Sequence, residues 1–418
     1  MDVAIVSDTH FGYRWGSDRG DDPFRNAREA FERTVDADLV ILPGDIFDKK
    51  VPKQEVLGNA VDCFNIYRGG SSGVSLTDAS DITHDFSGTP VVAIHGTHER
   101  RNTEFTNPIE LLEKMDYLLH LHNETAVFER DGERVAVHGM SGVPERYAPA
   151  VLDRFDPEPV EDAYNIFVFH QSVENLVYTS PDHDALSMED LPDGFDLLVD
   201  GHIHWFQHIE GEKELVIPGS TVTTQMNKVE AEQPKGFVTV DTATDELQFH
   251  ELDSPRDLYH EEIDVDGLDG SAVLDAVRER MDEIVSGDRE RRPLVRLILR
   301  GETSAAVKQS EIQAMYDGDA ILSLTLDIDR PDRDGGAAAL ETGESVAEMG
   351  LAALRDNLDR DLPVEELFDL LADEETDAAL DLVEALDIAV EHRGDPEDTD
   401  PDTGAESETG AEKTLEEF

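Results

Sequence analysis

Asp8 and His10, Asp45, Thr97 and His98, His170, and the pair His202 and His204 fall in five short polar segments, each following an apolar run. Carboxylate oxygens mixed with neutral imidazoles suit Mn²⁺, Fe or Zn²⁺ better than Mg²⁺ or Ca²⁺. Hydrolysis of a phosphate ester gains from two such ions roughly 3.5–4 Å apart, because one activates water while both neutralise charge developing on the phosphoryl oxygens. One carboxylate must then bridge the ions, and Asp45 is the natural candidate.

The elements that must carry these groups repeat. An apolar strand from Val3 to Val6 runs into SDTHFGYR, with a helix from about Phe24 to Val35; a strand from Leu39 to Leu42 ends in Pro43-Gly44-Asp45, with a helix from about Pro52 to Tyr67. After a Gly/Ser/Asp-rich loop to Gly88, a strand from Val91 to Ile94 ends in HGTHER. Later strands, Val135 to His138, Ile166 to His170 and Leu197 to Asp200, again run into His or Asp. Val216 to Ile217 leads into PGST, and Gly236 to Val240 and Leu247 to Leu252 read as closing antiparallel strands. This is an α/β pattern whose ligands project from the carboxyl ends of strands.

A single motif would carry little weight. The chain has 15 histidines, so any lone one is more readily a core or surface residue than a ligand. DxH alone is weak, and HxH is better because alternate strand residues share a face. Order and context supply the signal: DxH, GDxFD, GTHE, an isolated His after a strand, and GHxH follow one another, each behind its own strand.

The series DTH, GDIFD, GTHE, FHQ and GHIH resembles the calcineurin-like metallophosphoesterase superfamily over about the first 220 residues. HFGYR, GDIFD followed by KKVP, FHQS, DGHIHW and IPGST look like the repair nuclease family called Mre-eleven in archaea and eukaryotes and SbcD in bacteria. The resemblance implies a layered β-sandwich flanked by helices over residues 1–260. It also implies an α/β capping, DNA-binding domain over 261–332, and a linker with helices docking a coiled-coil ATPase over 333–391. One Mn²⁺ would be held by Asp8, His10, Asp45 and His204, the other by Asp45, His170, His202 and Thr97. His98 would sit over the scissile phosphate, stabilising the transition state or protonating the leaving oxygen. Family members cut double-stranded DNA ends from the 3′ side and nick single strands, working as dimers with a Rad-fifty-type ATPase. Two departures stand out: Thr97 replaces the usual Asn ligand, and Asp48, where substrate is positioned, replaces the His of many archaeal and eukaryotic members.

Beyond the first domain, a helix (about Ser271 to Val285), a strand (Leu294 to Leu299), a helix (about Ser304 to Tyr316) and a strand (Ala320 to Leu326) form a small α/β unit. RPDRDGGAAA reads as a linker. Amphipathic stretches from about Ser345 to Leu358 and Val364 to Leu386 follow, and residues 392–418 read as an acidic disordered tail.

The charge balance is extreme: 96 acidic against 34 basic residues, a formal net charge of −62. With 39% hydrophobic residues the chain still has the material for a packed core, so the acidity reads as solvation of a folded surface in concentrated salt, the habit of a halophile. In such salt counterion release contributes little, so acidity is a weak argument against a DNA ligand. No apolar run is long enough to span a bilayer, the start lacks a basic secretory region, and Cys63 stands alone; a soluble cytoplasmic protein is expected, with no membrane partner. Arg14, Arg19, Arg25, Arg100 and Arg101 follow the motifs and serve either DNA phosphates or neighbouring acids. Phe11, Tyr13 and Trp15 serve either DNA or loop packing. Two other functions share these residues: hydrolysis of small phosphoesters, and a scaffold of weakened catalysis that holds the ATPase on DNA.

Overall fold

A computed structural model describes residues 1–329 apart from 80–85, 87, 102–104, 175, 177–184, 288 and 304–306. The linker, the amphipathic stretches and the acidic tail expected beyond them lie outside the described residues.

The chain begins β1 (Asp2–Ile5), α1 (Asp22–Thr34), β2 (Leu39–Pro43), α2 (Gln54–Arg68), β3 (Ser75–Ala79) and β4 (Val91–Ile94). It continues α3 (Pro108–Lys114), β5 (Leu119–His120), β6 (Glu124–Arg130), β7 (Glu133–Met140), α4 (Ala148–Phe155), β8 (Tyr164–Phe169) and β9 (Leu197–Asp200). Then come β10 (Gln207–Ile209), β11 (Leu215–Ile217), α5 (Lys228–Glu232), β12 (Gly236–Asp241) and β13 (Glu246–Glu251). The last described elements are β14 (Leu258–Asp264), α6 (Gly270–Val285), β15 (Leu294–Glu302), α7 (Gln309–Tyr316) and β16 (Ile321–Asp329).

Two sheets stack. The first has strand order β13-β12-β1-β2-β4-β5, the second β10-β11-β9-β8-β7-β6-β3. Alternation along the central strands assigns each residue to a layer. Val3 and Ile5 of β1 join Leu39, Ile41, Val92, Val137, Val168 and Val199 in the core between the sheets. Ala4 and Val6 turn the other way, against Phe31, Val40, Phe64 and the α1 and α2 faces. Phe167, Phe169 and Leu198 pack outward from the second sheet on Val151 and Leu152 of α4. The result is helix, sheet, sheet, helix, and strands buried on both faces read as unbroken apolar runs.

That layering aims the polar turns. β1, β2 and β4 are mutually parallel, and so are β7, β8 and β9, so each sheet delivers several carboxyl ends to one rim. Backbone bridges Ser7 to Ser220 and Phe11 to Phe47 stitch the loops at that rim together.

A third, parallel sheet, β14-β15-β16, encloses its own core of Val273, Val277, Met281, Val295, Leu297 and Leu299. Its first strand lies across the boundary expected at residue 260. It meets α1 through Asp22, only 2% exposed, which takes Arg256 Nε at 2.9 Å and Arg291 Nη1 at 2.7 Å. Within the stretch read as a Gly/Ser/Asp-rich loop, Ser75–Ala79 forms β3, an edge strand antiparallel to β6. No helix among the described residues is long and apolar enough to cross a membrane.

Candidate metal centre

Four of the seven residues expected to ligate metal have left-handed backbones: Asp8 (φ 49°), His10 (φ 45°), Asp45 (φ 46°) and His202 (φ 60°). Non-glycine residues rarely sit there unless the surroundings force them, and such strain gathers where side chains must be aimed. The glycines beside them allow the close approach. Gly44 (φ 94°) lies so near His170 that a Cβ would come within 2.5 Å of its Nδ1, and a side chain at Gly96 would strike the Asp45 carboxylate.

The aimed side chains form three overlapping groups: Asp8 with His10 and His204, His10 with Asp45 and His98, and Asp45 with His170 and His202. In the first, His10 Nε2 is 3.8 Å and His204 Nε2 3.6 Å from Asp8 Oδ1, and the two Nε2 atoms are 3.2 Å apart. Asp45 Oδ2 is 3.2 Å from His170 Nε2 and 3.8 Å from His98 Nε2. Thr97 Oγ1 donates to the same oxygen at 3.4 Å, and the His98 amide donates to Oδ1 at 2.9 Å. His202 Nε2 is 3.2 Å from Ser172 Oγ. Asp45 thus touches ligands on both sides of the rim.

Carbonyl partners fix which way two rings face, because a carbonyl only accepts and each Nδ1 must then carry a proton. His170 Nδ1 donates to Pro43 O at 2.8 Å, so its Nε2 faces Asp45. His98 Nδ1 donates to Asp48 O at 2.9 Å, leaving Nε2 at the open rim of a ring whose side chain is 44% exposed. The Asp48 carboxylate is half-buried, 3.9 Å from His10 Nδ1.

The electrostatics favour a cation. Burial pushes His10 down to about 3, His202 to about 4 and His204 well below the usual imidazole range, so these rings are neutral with lone pairs to offer. Burial pushes Asp8 up to about 7 and Glu99 to about 8, and Asp200 well above the carboxylate range. Against burial, the Asp45 carboxylate beside it raises His170 to about 10, and His170 in turn holds Asp45 well below the carboxylate range. Acids thus outnumber cationic groups at this rim. Asp8 Oδ1 and His10 Nδ1 are buried without hydrogen-bond partners. Orphaned ligand atoms, two imidazole nitrogens face to face and surplus buried acid are what a divalent cation would satisfy, so the residues fit such a group.

Two supports escaped the sequence reading. Glu99, fully buried, accepts from the Phe47 amide at 2.7 Å and the Gly96 amide at 3.0 Å, clamping the GDIFD and GTHE turns together. It stands inside GTHE, so that motif was the available signal. Behind His204 a buried pair, Lys235 and Glu230, meets at 2.6 Å.

The basic and aromatic residues near the motifs have structural partners. Arg19 is buried, 3.5 Å from Asp22 and bonded to the Thr223 carbonyl, while Arg25 pairs with Glu290. Arg101 donates to Thr106 O at 3.0 Å, and Arg14 lies over the Tyr13 ring. Phe11 stacks on Phe24 with centroids 5.2 Å apart, Trp15 packs edge-on against the same ring, and Tyr13 donates to Thr224 O.

Residues 1–206 match the model of the calcineurin-like phosphoesterase family. The chain is 28% identical to the DNA double-strand break repair protein Mre11 of Thermoplasma acidophilum over 321 residues, 73% of this chain and 78% of that one. To the Mre11 of Methanopyrus kandleri it is 29% identical over 225 residues, covering 49% of this chain and 44% of the relative. To the double-strand break repair protein MRE11 of Encephalitozoon cuniculi it is 26% identical over 261 residues, 57% and 45%. The chain therefore spans less than half the length of the last two.

Proposed function

We propose, from the premise that residues 1–206 form a calcineurin-like metallophosphoesterase domain, that this protein is a Mn²⁺-dependent nuclease acting on DNA ends in double-strand-break repair. The observation that carries the reading is the Asp45 carboxylate, one oxygen of which lies within 3.8 Å of both His98 and His170 while the residue belongs to two ligand groups. Asp8, His10, Asp45 and His204 would hold one ion, and Asp45, Thr97, His170 and His202 the other. When bound, the ions supply activated water and charge neutralisation on the phosphoryl oxygens.

The remaining steps belong to side chains. With its Nδ1–H committed to the Asp48 carbonyl, His98 turns Nε2 to the rim; the ring picks up a proton there from solvent, and that imidazolium hands the Nε2 proton to the leaving oxygen. Asp48 holds that ring by its carbonyl, and its half-buried carboxylate bears on how substrate is positioned. The Thr97 hydroxyl is a shorter, weaker ligand than an amide oxygen, so the second ion binds less tightly or through water.

The wider assignments follow the same reading: residues 1–260 as nuclease domain, 261–332 as a DNA-binding cap, 333–391 as the docking segment for a Rad-fifty-type coiled-coil ATPase, and 392–418 as a tail, in a cytoplasmic homodimer. The activities expected are 3′–5′ double-strand exonuclease and single-strand endonuclease. The relatives' names support the repair role, and a second α/β unit joined to α1 at Asp22 supports a large substrate over a small phosphoester.

Purified protein with Mn²⁺ in molar KCl, given linear DNA and p-nitrophenyl phosphate, tests the reading. Cleavage of the DNA is expected. Turnover of the small ester alone would overturn the nuclease assignment, and intact DNA binding with one or no Mn²⁺ per chain would point to a scaffold.

A further inference from the structure

His204 is held from behind more completely than its position in GHIH requires. Its Nδ1 hydrogen-bonds the Thr224 hydroxyl, and its backbone carbonyl accepts from Lys235 Nζ at 2.7 Å. Thr224 has two tethers of its own: its carbonyl accepts from the Tyr13 hydroxyl at 2.6 Å, and its amide donates to Glu230 Oε1 at 3.5 Å. Glu230, 3% exposed, also takes the Gln225 amide at 2.7 Å and the Lys235 ammonium at 2.6 Å. Lys235, 5% exposed, donates a further hydrogen bond to Ser220 Oγ at 3.0 Å.

A buried ion pair is weak evidence of stabilisation, because desolvating both charges offsets their attraction. What is unusual here is where the pair's remaining side-chain bonds lead: they end on His204 or on the segment from Ser220 to Gln225 that carries its partner hydroxyl.

We propose that Thr224, anchored by the Glu230–Lys235 pair, is a positioning residue that sets the tautomer of His204 and keeps its Nε2 turned toward Asp8 and His10. A hydroxyl can accept the Nδ1 proton, which leaves the lone pair on Nε2, where a cation between His204 and His10 needs it. Without that acceptor the ring is free to carry its proton on Nε2, pointing an N–H at the 3.2 Å gap to His10. The inference rests on the metal-centre reading above.

The test uses the full chain with ¹⁵N-labelled histidine. In metal-free wild type, long-range ¹H–¹⁵N correlation is expected to find the His204 proton on Nδ1, the His204→Gln variant identifying its signals. Thr224→Val, which keeps volume and removes the hydroxyl, is expected to shift the ring toward the Nε2–H form. It should also weaken Mn²⁺ binding at one of two sites by about 10- to 100-fold in calorimetry. Thr224→Ser is expected to restore both. A wild-type proton on Nε2, or a Thr224→Val protein with unchanged tautomer and Mn²⁺ affinity, would overturn the proposal. Wild type that binds no Mn²⁺ would instead overturn the metal-centre reading, while its tautomer still reports on Thr224.

Discussion

His95, His120 and His122 crowd together almost as tightly as the imidazoles of the candidate metal centre. Their ring centroids lie 5.1–6.2 Å apart, against 5.0 Å from His10 to each of His98 and His204. The first cluster bonds within itself: His95 Nδ1 meets His120 Nε2 at 3.1 Å, and Ser141 Oγ lies 3.5 Å from the same nitrogen. The second is interleaved with the carboxylates of Asp8 and Asp45, and among the described residues only it contains three-ligand groups with mutually close donor atoms. Its backbone is strained at four candidate ligand positions, whereas none of the first three histidines has positive φ. Clustered imidazoles alone are a way to fill a polar patch of core; carboxylates aimed by strained turns mark a place for charge.

Removing the shared carboxylate should separate the clusters most sharply. Asp45→Asn is expected to abolish binding of both Mn²⁺ ions and lower DNA cleavage on the order of 10³-fold or more, since ion-centred catalysis supplies several kcal/mol. Full activity with both ions bound would erase the distinction drawn here. Next, His98→Ala should reduce exonuclease turnover about 10²- to 10⁴-fold with both ions retained, as for loss of a general acid. If the ions leave with the ring, His98 is a ligand.

The purely imidazole cluster should reveal itself in stability. Burial holds His120 down to about 3, so the folded protein keeps it neutral while an unfolded imidazole gains a proton near 6.5. Its ionisation therefore costs nothing above about pH 6.5 and destabilises the fold increasingly as pH drops toward 3, at about 1.4 kcal/mol per pH unit. Denaturant midpoints measured against pH at constant salt should show that acid limb flattened in His120→Gln, and an unchanged limb would mean the ring is solvated. Smallest of all, Thr97→Asn should leave activity unchanged or tighten the second ion by up to roughly tenfold. A large loss of activity would show that position 97 plays another part.

Much of this candidate centre was legible because its residues directly follow apolar strands. Val91–Ile94 and Leu197–Asp200 have the bounds read from sequence, and the turns after them carry His98 and His202. The elements that went unread are short or charged. β5 and β10 have two and three residues, and β6 (ETAVFER) and β14 (LYHEEID) carry acids along a half-solvated face, which blurs their alternation. α3 and α4, at seven and eight residues, span too few turns for a helical period to emerge. Supports were harder still. Glu230 and Lys235 become an ion pair only through the fold, and acids are so frequent along this chain that a buried one looks like any other. In the same way His95 and His98 sit three residues apart in one motif, and only the fold separates the ring that packs from the ring that faces the rim.

Anomalous diffraction from crystals of the full chain grown with Mn²⁺ tests the central claim most directly. Two peaks are expected, one among Asp8, His10 and His204 and one beside His170 and His202, with Asp45 reaching both. A single peak, or density at His95 and His120 with the Asp45 rim empty, would contradict it.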